Sequence, residues 1–402
     1  MKHILYTISF ILLFCSFVEG AYASQTNCAI LPASTDKKAT IENPVKNRKR
    51  KKPIVKLVMK YGAVYEGEVL AKRPHGYGKM VYTNGDIYEG TFVKGKREGR
   101  GVLKFKNGEI YEGEYGNDHR NGKGRLTFAD GSVYDGFWEN NRRCGYGRMD
   151  YPNGDFFVGT WDNDIRSGFG SYRYSSGAGY VGDWNNDKYC GMGTFTWDNG
   201  DRYVGSWYSG KRYGDGKYIT AEGSTYTGKW VNNNCEGEGK YFAANGDVYI
   251  GGFLNGQWHG KGEFTGNDGT SYTGDFKNGM CHGKGKMVFS NGDIYEGEWA
   301  ENKRCGKGTY TWDNGDVYEG GWLNDMMHGA GTLRLTNGVE YKGGYLNGKE
   351  EGAGVAIDKA GLRYEGCFIE GERDGKFFIK NSEGNLIGEY TFEKESIKKK
   401  NN

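Results

Sequence analysis

Proline is nearly missing from this chain: five residues in 402, three of them (Pro32, Pro44, Pro53) near the N-terminus. That scarcity excludes a collagen-like chain, which needs abundant proline and a three-residue period. No Asn-x-Ser/Thr sequon occurs, so the chain offers no N-glycosylation acceptor. Long apolar runs are missing too, apart from Ile4 to Val18, and those fifteen residues fall short of the ~20 that a spanning helix needs. What is present is glycine, 70 residues, together with 15% aromatics. A disordered glycine-rich linker lacks such rings. Many turns combined with many bulky strand residues indicate a repetitive β protein.

The N-terminus stands apart. Lys2, the apolar run and the small residues Ala21-x-Ala23 have the anatomy of an export signal over residues 1–23, cleaved after Ala23. A retained anchor through residues 4–18 is the alternative. The expected location is therefore exported or in the secretory pathway, whether periplasmic, extracellular or lumenal. Residues 24–60 read as a basic tether: residues 37–60 carry ten Lys/Arg and one Glu, whereas residues 61–390 carry 39 basic and 46 acidic residues. Any grip on an anionic surface should come from Lys46, Arg48, Lys49, Arg50, Lys51 and Lys52, at about 1 kcal/mol per basic residue near an anionic membrane. The competing reading is a solubilising linker. No nucleic-acid partner is expected, since an export signal argues against nuclear import.

The rest of the chain repeats itself. Tyr65, Tyr88, Tyr111, Tyr134, Phe157, Tyr180, Tyr203, Tyr226, Tyr249, Tyr272, Tyr295, Tyr318, Tyr341 and Tyr364 follow one another at intervals of 23 without an insertion. Counting each repeat from this ring as position 0, glycine recurs at positions 2, 11 and 20 throughout, and at 13 until Phe377. Position 4 is aromatic except at Val69. Tyr295-Glu296-Gly297-Glu298-Trp299 alternates with period two, as a strand does, and Gly306 to Trp312 forms a second strand. Asn314-Gly315 then reads as a turn with two positive φ angles. Alternation places glycines on the ring-bearing faces, so each bare backbone site is expected to let a ring lie over it. The fold class is all-β: an elongated single-layer antiparallel meander of about fourteen 23-residue hairpins, ~130 Å long at ~4.8 Å per strand.

The segment from Tyr295 to Gly320, with its YEGEW, GKGTYTW and NGDVYEG pieces, resembles the MORN repeat (membrane occupation and recognition nexus), and the likeness covers residues 61–390. The resemblance implies an extended antiparallel sheet without catalysis. It also implies tethering of proteins, self-association through an open sheet end, and contact with membrane phospholipids. MORN repeats accompany plant phosphatidylinositol phosphate kinases, but this chain has no room for a kinase domain outside the array.

Other motifs dissolve into the repeat. G-x-x-x-x-G-K at Gly90, Gly205 and Gly343 lacks the Ser/Thr and the following helix of a phosphate loop. Position 10 collects His75, Cys144, Cys190, His259, His282, Cys305 and His328. Same-phase residues lie about 9.5 Å apart, too far to share a zinc ion, so no metal and no cofactor are expected. The cysteines are likewise too separated for disulfides. Lys96-Arg97, Arg142-Arg143, Lys211-Arg212 and Lys303-Arg304 are assigned to turns on one edge and Asp86, Asp155, Asp201, Asp247, Asp293 and Asp316 to turns on the other. A basic and an acidic rim are thus expected, with Phe377 and a polar, basic tail (391–402) closing the last repeat. The functional expectation is a non-catalytic, self-associating scaffold for proteins or anionic lipids. The alternatives are an exported protein whose exposed aromatic trough binds a glycan, lipid or peptide and, third, a lipid kinase.

Overall fold

The computed structural model describes residues 53–393 and 396–398. The export signal, tether residues 24–52 and the six basic residues named above lie outside them. Every regular element among the described residues is a β-strand. They fall into two units, one ending at Arg212 and one starting at Tyr213.

In the first unit, seven-residue strands such as Val64–Leu70 and Phe156–Asp162 alternate with nine-residue strands such as Arg73–Val81 and Ile165–Arg173. Each pairs antiparallel with the strands before and after it in sequence. The second unit repeats the scheme, for example with Ile294–Ala300 paired to Lys303–Thr311. The meander within each unit is the one the 23-residue period predicts.

The turns differ from expectation. The left-handed pair sits inside the repeat, at Glu301 (φ 49°) and Asn302 (φ 64°), as in Asn163 and Asp164. Two successive positive φ values match the twist of the flanking strands in a two-residue hairpin. Between repeats only the glycine is left-handed, Gly315 at φ 87°. Its N–H bonds to the Trp312 carbonyl (2.9 Å), while the Trp312 N–H bonds to the Asp316 carbonyl (2.9 Å). Asn314 instead accepts the Asp316 N–H at 3.0 Å, an Asx turn that needs no positive φ. The two-residue turn also puts Lys303 and Arg304, like Lys96 and Arg97, in strands rather than turns.

The core is the ring ladder. The Tyr295 ring lies over Gly297 and Gly308 so closely that a Cβ on Gly308 would stand 2.5 Å from ring carbons. All but one of the fourteen position-0 rings are buried; Tyr364 is half-exposed. Within each unit, position-4 rings are wedged edge-on between two of them, as where Trp138 stands 5.5 Å from Tyr111 at 89° and 5.2 Å from Tyr134 at 90°. Edge-to-face pairs of this kind add about 0.5–1.5 kcal/mol beyond burial.

The last repeat keeps the ladder by a swap. Phe377, at the position of a glycine, puts its own ring over Gly366 and meets Phe368 (5.3 Å) and Phe392 (5.2 Å) edge-on. The expected polar, basic tail (391–402) lies partly outside the described residues. At its start the strand Leu386–Glu393 carries the sheet onward and pairs with Ser396–Lys398.

Candidate functional site

The ring rows of the inner face are buried, which corrects the expectation of an exposed trough. Trp138, Trp161, Trp184, Trp230 and Trp299 are at most 3% exposed. Their indole N–H groups bond to carbonyls of the preceding repeat's position-13 glycine, as in Trp138 to Gly124 at 2.9 Å. Position-0 tyrosines spend their hydroxyls too. Tyr111 donates to the Glu114 carbonyl (2.9 Å) and Tyr295 to that of Glu298 (3.0 Å), beside the bulge that interrupts the strand ladder. Burial pushes these phenols up, Tyr318 and Tyr341 to about 12.

Position 9 fills the space between a position-0 ring and the next repeat's position-4 ring. Arg143 lies 4.4 Å over the Trp161 ring and 5.7 Å over that of Tyr134. Its Nε meets Asp164 Oδ1 at 3.0 Å, and its Nη2 donates to the Asp164 carbonyl. Arg166 does the same with Trp184 (4.5 Å) and Asp187 (2.8 Å), and Arg304 with Trp322 (4.4 Å) and Asp325 (3.2 Å). These arginines stitch repeat to repeat; they form no basic rim. The acidic rim is likewise turned inward. Asp293 Oδ1 accepts the Asp313 N–H (2.9 Å) and Oδ2 the Tyr310 hydroxyl (2.5 Å). Burial alone would raise the Asp293 carboxyl, but the bonds from Tyr310, Asn291 and Asp313 outweigh it and hold the group below the usual carboxylate range.

Position 10 faces the next turn. The Nδ1 atom of His75 accepts the Lys94 N–H at 3.5 Å, and Glu98 and Glu236 accept the equivalent Asn117 and Asn255 N–H groups. Among the described residues no group of three or more His, Cys, Asp or Glu is placed to hold a metal ion, and no disulfide joins their cysteines. Gly90–Lys96 and Gly343–Lys349 each run down a strand and round a two-residue turn.

The outer face is where the repeats stop being alike. Position 12 holds Tyr146, Phe169 and Met192 in three successive repeats of the first unit, 63%, 62% and 59% exposed. Phe137 and Val181, also exposed, share that face. In the second unit the corresponding surface carries charge pairs, Lys229 with Asp215 (2.8 Å) and Lys261 with Asp275 (2.7 Å). Further along it smooths into a shallow concavity floored by Gly321, Ala330, Gly344 and Ala353. The apolar run was legible in the sequence as a departure from Lys and Glu at position 12, a signal the repeat count passes over.

Comparison with known proteins gives a family match. A model for the MORN repeat matches fourteen consecutive segments from residue 65 to residue 376 without a gap. No curated protein matches the chain. Among solved structures, the SAS-4 (dCPAP) TCP domain of Drosophila melanogaster, in complex with a proline-rich motif of Ana2 (dSTIL), is similar at 12% identity. That match covers 53% of this chain and 99% of that one, with a TM-score of 0.21. The wild-type TCP10 domain of Danio rerio CPAP matches at 9% identity over 72% and 99% of the two chains, TM-score 0.16. A virginiamycin B lyase from Staphylococcus aureus matches at 14% over 86% and 96%, TM-score 0.12. At these scores nothing about function follows from the likeness.

Proposed function

Since this chain belongs to the MORN repeat family, we propose that it is a non-catalytic scaffold that holds protein partners, further copies of itself included, on the outer face of its sheet. The observation that carries this is the row Tyr146, Phe169 and Met192, each about 60% exposed on the outer sheet face. Contiguous exposed rings and methionine on an ordered surface are the composition of interface centres, and they are costly to leave in water. The inner face, in contrast, spends its rings and polar groups on its own cohesion, which supports a frame more than a reaction centre.

The test is assembly. Sedimentation velocity of the full chain should give a concentration-dependent shift to larger species. The triple variant Tyr146→Ser/Phe169→Ser/Met192→Ser should sediment as the smallest species at all concentrations, with an unchanged unfolding midpoint. A wild-type chain that stays monomeric and captures no partner through this face sinks the reading.

A second attachment rests on the basic run at residues 46–52, against the negative balance of the repeats. We assign it to anionic lipid headgroups. Flotation with phosphatidylserine vesicles should be lost when these Lys and Arg residues are changed to Gln, and should weaken in ~0.5 M salt, where screening is strong.

A further inference from the structure

In two repeats position 9 is a ring. Trp258 stacks on Tyr249 at 4.2 Å and 8°, flanked by Phe264 at 5.6 Å and Phe276 at 5.7 Å. Tyr189 stacks on Tyr180 at 3.9 Å and 22°, flanked by Phe195 at 5.9 Å and Trp207 at 5.4 Å. In both, position 7 of the next repeat is glycine, and its N–H bonds to the carbonyl of the ring-bearing residue: Gly279 to Trp258 and Gly210 to Tyr189, each 2.9 Å. Where position 9 is Arg143, Arg166 or Arg304, that glycine is replaced by aspartate, which takes the guanidinium.

The repeat starting at Tyr226 has the frame of the ring class without the ring. Gly256 occupies the glycine position and donates its N–H to the Cys235 carbonyl at 3.0 Å. Tyr226 stands where Tyr249 and Tyr180 stand, Tyr241 where Phe264 and Phe195 stand, and Phe253 where Phe276 and Trp207 stand. Position 9 is only Cys235. The space left is a cleft of about 40 Å³ that opens to solvent, and these residues line it. Cysteine alone does not explain the opening. Cys281 occupies the same position two repeats on, yet it is fully buried, with Asn302 closing over it and accepting its N–H at 2.7 Å.

We infer that the cleft at Cys235 is a binding site for a planar aromatic ring, held flat against Tyr226 between Tyr241 and Phe253. The molecule supplies two examples of such a ring in equivalent frames. The absence of a carboxylate at Gly256 selects a neutral ring over a guanidinium, because a buried cation without a partner pays its full desolvation. A free aromatic molecule and a Trp, Tyr or Phe side chain of a partner both supply such a ring; the chemistry is the same. This inference is independent of the scaffold reading, since the outer-face variants leave the cleft untouched.

The test uses the full chain, with p-cresol and indole as free rings and a capped Gly-Trp-Gly peptide as the partner's side chain. Saturation-transfer NMR should detect binding to the wild type. Cys235→Trp, which supplies the ring internally, should weaken it at least about tenfold, an effect on the order of 1.4 kcal/mol. Cys235→Ala should keep it within about twofold, well inside that margin. Preference for indole or cresol over the peptide assigns the site to a free molecule, and the reverse to a partner side chain. Alkylation of Cys235, followed by peptide mapping, should slow in the presence of the ring while that of Cys367 does not. This readout stands even if Cys235→Trp fails to fold. Absence of binding to wild type, equal binding to Cys235→Trp, or unprotected Cys235 would each overturn the assignment.

Discussion

Repeats two to five of the first unit give position 9 one answer, Arg97, Arg120, Arg143 and Arg166, whereas the second unit varies it through Cys235, Trp258, Cys281, Arg304, Met327, Glu350 and Arg373. The walls around that position scarcely change between the units: a ring over two glycines, and an edge-on ring from the next repeat. The difference teaches that walls and filling are under separate physical control. The walls are fixed by contact distance, because a ring can lie on a backbone only where no Cβ stands. The filling is set by its partner 21 residues on. A guanidinium stripped of water needs Asp or Asn there, and a neutral ring needs only the room that glycine leaves.

Breaking a wall should therefore cost more than changing any filling. In Gly285→Val the new side chain would collide with the buried Tyr272 ring, whose carbons would stand 2.4 and 2.5 Å from the added Cβ. The expected loss is about 3 kcal/mol or more, read as a large drop in the urea midpoint or failure to fold. Gly269→Ala, at a left-handed turn with open space around it, should cost only about 1 kcal/mol. Similar losses for the two would undo the wall argument.

The buried phenols of the second unit should also titrate together. Burial first, then the bond to Asp293, pushes Tyr310 up to about 12, and burial does the same to Tyr318 and Tyr341. An unfolded tyrosine ionises near pH 10, so between pH 10 and about 12 the unfolded chain releases protons that the folded chain retains. The stability these phenols contribute is complete below pH 10 and is lost as pH rises toward 12. Denaturation midpoints should be flat from pH 7 to 9 and fall steeply above 10. A flat profile to pH 12 would show the hydroxyls to be in water.

Conversion of one filling into the other tests the coupling directly. Arg143→Ala removes the stack on Trp161 and the ion pair with Asp164, and should cost about 1–2 kcal/mol. Arg143→Trp alone places a ring beside the Asp164 carboxylate. Adding Asp164→Gly should recover about 1 kcal/mol, the size expected for groups in contact. Additive single effects in this cycle would show that positions 9 and 7 are not linked.

How much of this was legible in the sequence divides along the same line. The period of 23, the hairpins and the rings over glycine follow from local rules, since alternation fixes the face and glycine fixes the clearance. The stitches do not. Arg143 and Asp164 are 21 residues apart, so charge counting assigns Arg143 to a basic rim, although strand pairing brings the two side chains to 3.0 Å. Asn314-Gly315 misleads for a related reason: the dipeptide suits more than one turn, and a hydrogen bond from Asp316 decides which. At the C-terminal end, Phe377 reads as a broken rule. Only its place over Gly366 shows that it replaces the Tyr364 ring and keeps the ladder intact.

The smallest expected effect is the sharpest check on the stitches. Lys303 and Arg304 are neighbours of the same charge, and the sequence assigns both to one basic edge. In the strand they face opposite ways: Lys303 is exposed, while Arg304 is half-buried over Trp322 and paired with Asp325. Lys303→Ala should therefore stay within about 0.5 kcal/mol of wild type, as exposed substitutions do, and Arg304→Ala should lose about 1–2 kcal/mol. Raising the salt to ~1 M should screen whatever Lys303 contributes, because its charge sits in water. It should leave most of the Arg304 effect in place, because stacking on an indole is not a long-range charge effect. If both variants fell equally, and both losses vanished in salt, position 9 would belong to a charged edge after all.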